Sequence, residues 1–288
     1  MPFLFLNGRI VDAAEAALSP EDRGFLLGDG LFETLRAYGG KVFRLGAHLG
    51  RLRASAEFFR LSLPYSDEQI EQTIADLLLR NACPEAYVRI TLTRGCEVRT
   101  LRLDTQSPPT VLIAARALSP YPPEQYRSGA KLIISKYRQN SASPLARHKN
   151  LNYLLFLLAR QEAADQGANG AILLNEHGQV TEESLSNLFA VRDGTMLTPP
   201  VHCGLLPGVT RATVLELAAE MGLECRETPI AAGEIFDCDE VFLTNSLMEI
   251  MPVRTVDKRP LRTPAPGALT LRLMDAYQAL RLRECSVR

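Results

Sequence analysis

Three things are scarce in this chain, and each scarcity excludes a class of function. The first is charge of one sign: 32 lysines and arginines stand against 33 aspartates and glutamates in 288 residues, a net charge of −1. Such a chain has no basic field to draw in nucleic acid or an anionic membrane as its main partner. The second is long apolar runs. The longest, "YLLFLLA" from Tyr153 to Ala159, falls far short of the roughly 20 residues a membrane-spanning helix needs. The opening "MPFLFLNGRI" is apolar for too few residues to be a signal peptide and lacks a basic start. The third is paired cysteines. Cys83, Cys96, Cys203, Cys225, Cys238 and Cys285 form no C-x-x-C pair and no spacing that resembles a zinc site. The expectation is a cytoplasmic protein with reduced thiols and no metal.

What is present reads as a mixed α/β (α+β) chain, long enough for one large domain or two ordinary ones. Residues 3–12 predict a hairpin about Asn7-Gly8, and "LFETLRAYGGKVFR" predicts a second about Gly39-Gly40. Leu45, Leu49, Leu52, Ala56 and Phe59 recur at helical steps. "SDEQIEQTIADLLLRN" adds a helix with Ser66 and Gln69 placed as a capping box. "AYVRITLTR" and "TVLIAAR" read as strands, the former alternating on Val88, Ile90 and Leu92. "ALSPYPPEQY" then packs three prolines into a few residues and is the linker candidate. Beyond it come a strand, "GAKLIISKY", and a helix expected to pack through Leu151, Leu154, Leu155 and Leu158. A run of strands over 170–200, a helix from "LPGVTRATVLELAAEMG", the strand "DEVFLTNS" and a last helix follow. No internal repeat is visible. The inferred division is residues 1–120 and 121–288.

Four stretches could carry chemistry. In "ARHKNLNYL", Lys149 is either a solvated charge at the start of a helix or a sheltered amine. A sheltered amine has a lowered pKa and can form a Schiff base with an aldehyde cofactor or a carbonyl substrate. His148 beside it reads as a packing or surface residue. In "QVTEESLSNLF", strand alternation sends Glu182 and Glu183 to opposite sides, one inward and one to water; a buried glutamate needs a partner. "LPGVTRATVLE" is either an ordinary loop–helix junction or an outline phosphate site, with backbone N–H groups, a helix dipole and the Thr210 hydroxyl. "LTNSLME" adds Thr244 and Ser246. Arg51 lies about 100° round its helix from Leu52, where it either is solvated or meets a phosphate. In "LTRGCEVR", Arg94 and Arg99 form either a charged loop or a fork for a carboxylate.

Taken in order, "DRGFLLGDGLFETLR", "HLGRLRAS", "LTRGCEVR", "HKNLNYL", "GAILLNEHGQVTEESLSNLFAV", "LLPGVTRATVLELA" and "DEVFLTNSLMEIMPV" resemble the class IV, fold type IV, family of pyridoxal-phosphate enzymes over almost the whole chain. That family includes branched-chain and D-amino-acid aminotransferases and 4-amino-4-deoxychorismate lyase. The resemblance implies a smaller N-terminal α/β domain and a larger C-terminal one, with pyridoxal 5'-phosphate between them, in a homodimer. It implies that Lys149 holds the cofactor covalently and shuttles a proton, and that Glu182 pairs with the pyridine nitrogen. Arg51, Val209, Thr210, Ser246 and Leu247 would bind the phosphate, and Tyr153 would reach the phenolic oxygen.

The resemblance divides over the reaction. "TNSLMEIMPV" is similar to the lyase pattern rather than the "EITPV" of aminotransferases, and Thr34 stands where lyases carry a threonine thought to assist proton transfer. Branched-chain enzymes have glycine there. Against this, Arg99 is followed by Thr100 and Leu101, not the Gly-Tyr of enterobacterial lyases. D-Amino-acid aminotransferases have a carboxylate-binding arginine at the place of Arg99, but a histidine where this chain has Leu101 and a tyrosine where it has Phe32. The balance favours pyruvate elimination from aminodeoxychorismate to give 4-aminobenzoate for folate synthesis. The alternative is transamination between a D- or branched-chain amino acid and 2-oxoglutarate. A cofactor-free binding protein is set aside because Lys149 and Glu182 are both present.

Overall fold

The computed structural model describes residues 2–96, 101–104 and 107–285, and the chain separates into two compact units. One takes the chain through Ser119, returns for His148–Asn152 and resumes at Arg281; the other holds Pro120–Arg147 and Tyr153–Leu280.

The first unit begins with the hairpin of β1 (Phe3–Leu6) and β2 (Arg9–Asp12). Asn7 and Gly8 turn it with φ of 47° and 93°, the left-handed pair that a two-residue hairpin favours. Short α1 (Arg23–Leu27), β3 (Gly30–Tyr38) and β4 (Lys41–Val42) follow. Then come α2 (Leu45–Phe58), α3 (Asp67–Arg80), β5 (Ala86–Thr93) and β6 (Thr110–Ala117). Among the described residues the strands make one antiparallel sheet, ordered β2-β1-β6-β5-β3-β4. Leu49, Leu52 and Ala56 of α2 and Ile70, Ile74 and Leu77 of α3 join Leu31, Leu35, Val88 and Ile90 in its core. The capping box of α3 is formed: Gln69 N donates to Ser66 Oγ at 3.2 Å and Ser66 N to Gln69 Oε1 at 2.8 Å.

In the second unit α4 (Pro123–Ser128) precedes β7 (Ala130–Gln139), α5 (Leu154–Asp165), β8 (Gly170–Asn175) and β9 (Val180–Glu183). Next are β10 (Asn187–Arg192), β11 (Thr195–Thr198), α6 (Val209–Glu220), β12 (Cys225–Glu227) and β13 (Glu240–Asn245). The series ends with β14 (Glu249–Val256), β15 (Arg259–Pro260) and α7 (Ala268–Cys285), whose last residues belong to the first unit. The sheet is mixed, ordered β12-β11-β10-β13-β14-β7-β8-β9, with β15 also on β14. It is parallel at β14–β7, β7–β8 and β11–β12.

Two expectations need correcting. The proline-rich stretch is not all linker: Pro123 opens α4, where a missing N–H costs nothing and the fixed φ suits a first turn. And α5 does not pack through its leucines. Leu154, Leu157 and Leu158 are 75%, 54% and 50% exposed, while Ala159 and Ala163 are buried against Ile133, Ala171 and Leu173. The small side chains let the helix lie close to β7 and β8, which turns the leucine stripe outward. No helix among the described residues is long and apolar enough to cross a membrane.

Candidate active site

Lys149 does not start a helix. Residues 149–151 lie beside the head of β3. Phe32 N donates to Lys149 O at 2.8 Å, Leu151 N donates to Gly30 O at 3.0 Å, and Leu31 bridges Asn150. Main-chain bonds therefore hold the lysine in place, and its side chain is half-buried. Its Nζ lies 4.5 Å from the centre of the Phe32 ring, and Arg89 Cζ lies 3.8 Å from the same ring. Phe32 is thus a buried ring that attracts two cations through its electron-rich π system. Thr34, half-buried two residues along β3, stands opposite Arg89 of β5. His148 packs between Phe58 and Phe59, and its Nδ1 lies 2.9 Å from Ser55 Oγ.

Arg51 is not solvated. Its Nε and Nη2 donate to Glu33 Oε1 and Oε2 at 2.8 and 2.7 Å, a two-point grip. Glu33 and His48 are almost wholly buried, and His48 Nδ1 lies 2.8 Å from Glu33 Oε2. Burial alone would raise the Glu33 pKa. The Arg51 charge and the hydrogen bonds from His48 and Arg51 outweigh it and bring the carboxyl to about 2. Burial holds His48 below its ordinary value despite Glu33, and the charges of Arg51 and Lys149 push the same way. An ionised carboxylate only accepts, so His48 meets it as the Nδ1–H tautomer.

Neither Glu33 nor His48 was among the sequence candidates, yet both were findable. Glu33 stands between Leu31 and Leu35 on the core-facing side of its strand, where a charge requires a partner. His48 and Arg51 share a helix face at i,i+3. Arg89 was also missed; it lies across the sheet from Thr34.

Arg94 is a clamp inside the first unit. It donates Nε and Nη2 to Asp29 at 2.8 and 3.0 Å, Nη1 to Arg60 O and Leu103 O, and Nη2 also to Phe59 O. All five guanidinium N–H groups are engaged within the fold, which leaves Arg94 no role as a substrate fork. Arg99 lies outside the described residues.

In the second unit both glutamates of β9 are buried, so alternation does not send one to water. The strand is covered on both faces, and its pairing with β8 shifts register between Ile172 and Leu174. Glu183 is bound within its own turn: its carboxylate accepts from Ser184 Oγ, from Leu185 N at 3.0 Å and from Ser186 Oγ at 2.6 Å. Glu182 Oε2 accepts from Leu206 N at 3.3 Å. Tyr153 closes the N-terminal end of α5, tilted against Phe156.

Val209 and Thr210 open α6 after Gly208, and that glycine has no room for a side chain: a Cβ there would meet Asn187 Oδ1. Asn187 Nδ2 donates to Leu206 O at 2.8 Å and fixes the loop that enters the helix. At the end of β13, Asn245 Oδ1 accepts from Leu247 N and Met248 N at 2.9 and 2.8 Å, which folds Ser246 and Leu247 into a tight turn. Thr244 Oγ1, one residue before, is buried with no hydrogen-bond partner among the described residues. Helix-start amides, a hydroxyl turn and an unsatisfied buried hydroxyl form a donor set suited to an oxyanion.

Residues 30–256 match the family model described as amino-transferase class IV. A protein of Methanocaldococcus jannaschii provisionally named a branched-chain-amino-acid aminotransferase is 35% identical over 283 residues, 97% of this chain and 96% of that one. Among solved structures, the branched-chain amino acid aminotransferase of Escherichia coli superposes with a TM-score of 0.93 at 29% identity, over 97% of this chain and 94% of that one. A Legionella pneumophila protein provisionally named a 4-amino-4-deoxychorismate lyase gives 0.83 at 27% identity, over 96% and 97%. The fold is that of the fold type IV enzymes, and the balance moves from the expected pyruvate elimination toward amino-group transfer.

Proposed function

The chain belongs to the class IV aminotransferase family and is a pyridoxal-phosphate-dependent enzyme, and on that premise we propose that it moves an amino group between a branched-chain amino acid and 2-oxoglutarate. The observation that carries this reading is likeness along nearly the full length to proteins named for that reaction.

The residues present fit the cofactor. The buried hydroxyl of Thr244 lacks a partner, Gly208 keeps the α6 entrance tight, and a lysine, a buried glutamate and an arginine supply the required chemistry. In this proposal Arg51, the amides of Val209 and Thr210, and the turn of Ser246 and Leu247 hold the phosphate. Glu182 holds the ring nitrogen in its protonated form, and Tyr153 meets the phenolic oxygen. When bound, the cofactor supplies an electron sink for the pair released at the substrate Cα. Lys149 Nζ holds the cofactor at rest. Lys149 Nζ would then take the proton from the substrate Cα and return it on the far side of the C–N bond; water would cleave the resulting C=N bond to free the keto acid, and the amino group would stay behind for 2-oxoglutarate. The Phe32 ring beside Nζ limits where the amine can swing. Arg89 against the same ring, and Arg99, are the groups we assign to the substrate carboxylate.

Elimination is the second reading, favoured by Thr34, "TNSLMEIMPV" and the Legionella neighbour; there Thr34 assists Lys149 in proton transfer. One preparation separates the two. Glutamate formation from 2-oxoglutarate is followed with L-leucine, L-isoleucine and D-alanine, and 4-aminobenzoate formation from aminodeoxychorismate. The proposal expects the fastest transfer from the branched-chain substrates. 4-Aminobenzoate without transfer would replace it with the lyase.

The same proposal includes a cytoplasmic homodimer with a domain boundary near residue 120. Exposed Phe25 and Leu154, 77% and 75% accessible, supply apolar surface for a second copy, and the six cysteines are free thiols. Light scattering tests the dimer, and a monomer at micromolar concentration would remove it.

A further inference from the structure

We propose that Glu33 and His48 are positioning residues for the cofactor phosphate: they fix the plane of the Arg51 guanidinium, so that the phosphate is held by aimed hydrogen bonds rather than by net charge. The inference rests on Arg51 being a phosphate ligand, as proposed above, and adds how it is made one.

The geometry carries it. Glu33 grips Arg51 along the Nε–Nη2 edge at 2.8 and 2.7 Å. A two-point contact fixes a planar group in both position and rotation, and with it the direction in which Nη1 points. Glu33 could rotate with its partner were it not held itself. His48 Nδ1, on the same helix as Arg51, meets Glu33 Oε2 at 2.8 Å, the oxygen that also accepts Arg51 Nη2. Two donors from α2 therefore converge on one carboxylate of β3, and all three groups are largely shielded from water.

The charges explain why such a device is useful. The Arg51 charge and the hydrogen bonds from His48 and Arg51 hold the Glu33 carboxyl well below the usual carboxylate range, and burial holds His48 below its ordinary value. The cluster thus carries a carboxylate and a guanidinium that cancel. A bare buried arginine would attract any anion. A neutralised one favours a group whose oxygens match its fork. A purely structural ion pair makes a different prediction, because buried pairs are weak contributors to net stability and can often be replaced by apolar groups.

The test compares the apo protein's affinity for pyridoxamine 5'-phosphate with that for pyridoxamine, by calorimetry. The ratio isolates the phosphate's share of binding, which a general loss of stability does not move. Arg51→Ala is expected to lower the ratio by about 10- to 100-fold, the worth of a charge-assisted hydrogen bond. Glu33→Gln should lower it by roughly 10-fold. In the Arg51→Ala background Glu33→Gln should change it no further, since nothing remains to be aimed. Glu33→Asp keeps the charge but shortens the reach. It serves as the second variant if the glutamine protein does not fold, and should also lower the ratio. His48→Asn should lower it less than either. If Arg51→Ala leaves the ratio unchanged, the phosphate assignment of Arg51 falls, and this inference with it. If Arg51→Ala lowers the ratio while folded Glu33 variants match the wild type, the phosphate reading stands and the positioning role is overturned.

Discussion

The two units build the groups we assign to the cofactor phosphate in different ways. The first uses a charged side chain and neutralises it: Arg51 is bound by a carboxylate that burial, the guanidinium and a histidine bring to a pKa of about 2. The second uses almost no charge. It offers helix-start amides behind a glycine that cannot take a side chain, a turn folded by Asn245, and the unpaired hydroxyl of Thr244. In both places hydrogen bonds within the fold fix the donors, and net positive charge is low. Affinity built this way depends on direction, so small displacements should matter more than added salt.

The largest effect expected is at Lys149 of the first unit. Lys149→Ala should reduce turnover by about 10³-fold, the scale of a lost proton-transfer group, and abolish the bound yellow chromophore. A steady-state assay with an absorption spectrum checks both. Next is the second unit's cradle. Gly208→Ala forces a methyl onto Asn187 Oδ1 and should weaken pyridoxamine 5'-phosphate binding by roughly 10-fold while leaving pyridoxamine binding unchanged.

A third prediction separates the units by pH. A carboxyl lowered from 4.5 to about 2 stabilises the fold fully above pH 4.5, and that stabilisation is lost as pH falls toward 2. His48, a base held below 6.5 by burial, adds a penalty that grows once pH drops through 6.5. Melting temperatures of the apo protein should therefore fall on acidification, and Glu33→Gln should flatten the part between pH 4.5 and 2. An unchanged slope would mean that the pair does not report on Glu33. The smallest effect tests the second unit: Thr244→Val removes a buried hydroxyl that nothing satisfies. It should leave the apo protein equally stable or up to about 1 kcal/mol more stable, while weakening phosphate-bearing ligands. Thermal melts with and without ligand check the opposing signs.

The elements that proved legible are those with a local cause. Asn7-Gly8 requires positive φ at both positions, Ser66 and Gln69 close a capping box on each other, and Val88, Ile90 and Leu92 alternate toward one core. Contacts across long sequence distances were harder. Leu154 and Leu158 mark an apolar stripe, but a stripe does not say what covers it, and the helix instead packs through two alanines. Glu182 and Glu183 obey alternation in sequence, yet the sheet covers both faces of their strand. Arg94 looked like a fork for a ligand because its partners, Asp29 and the carbonyls of Phe59, Arg60 and Leu103, come from three separate stretches. Lys149 drew attention as the start of a helix, but main-chain bonds to β3 and not a helix define its setting.

The central claim is that Lys149, rather than any other lysine, carries the cofactor. Borohydride reduction of the yellow protein followed by peptide mass mapping tests it directly. The phosphopyridoxyl mass is expected on the peptide that contains Lys149, and its appearance on Lys41, Lys131, Lys136 or Lys258 instead would contradict the account.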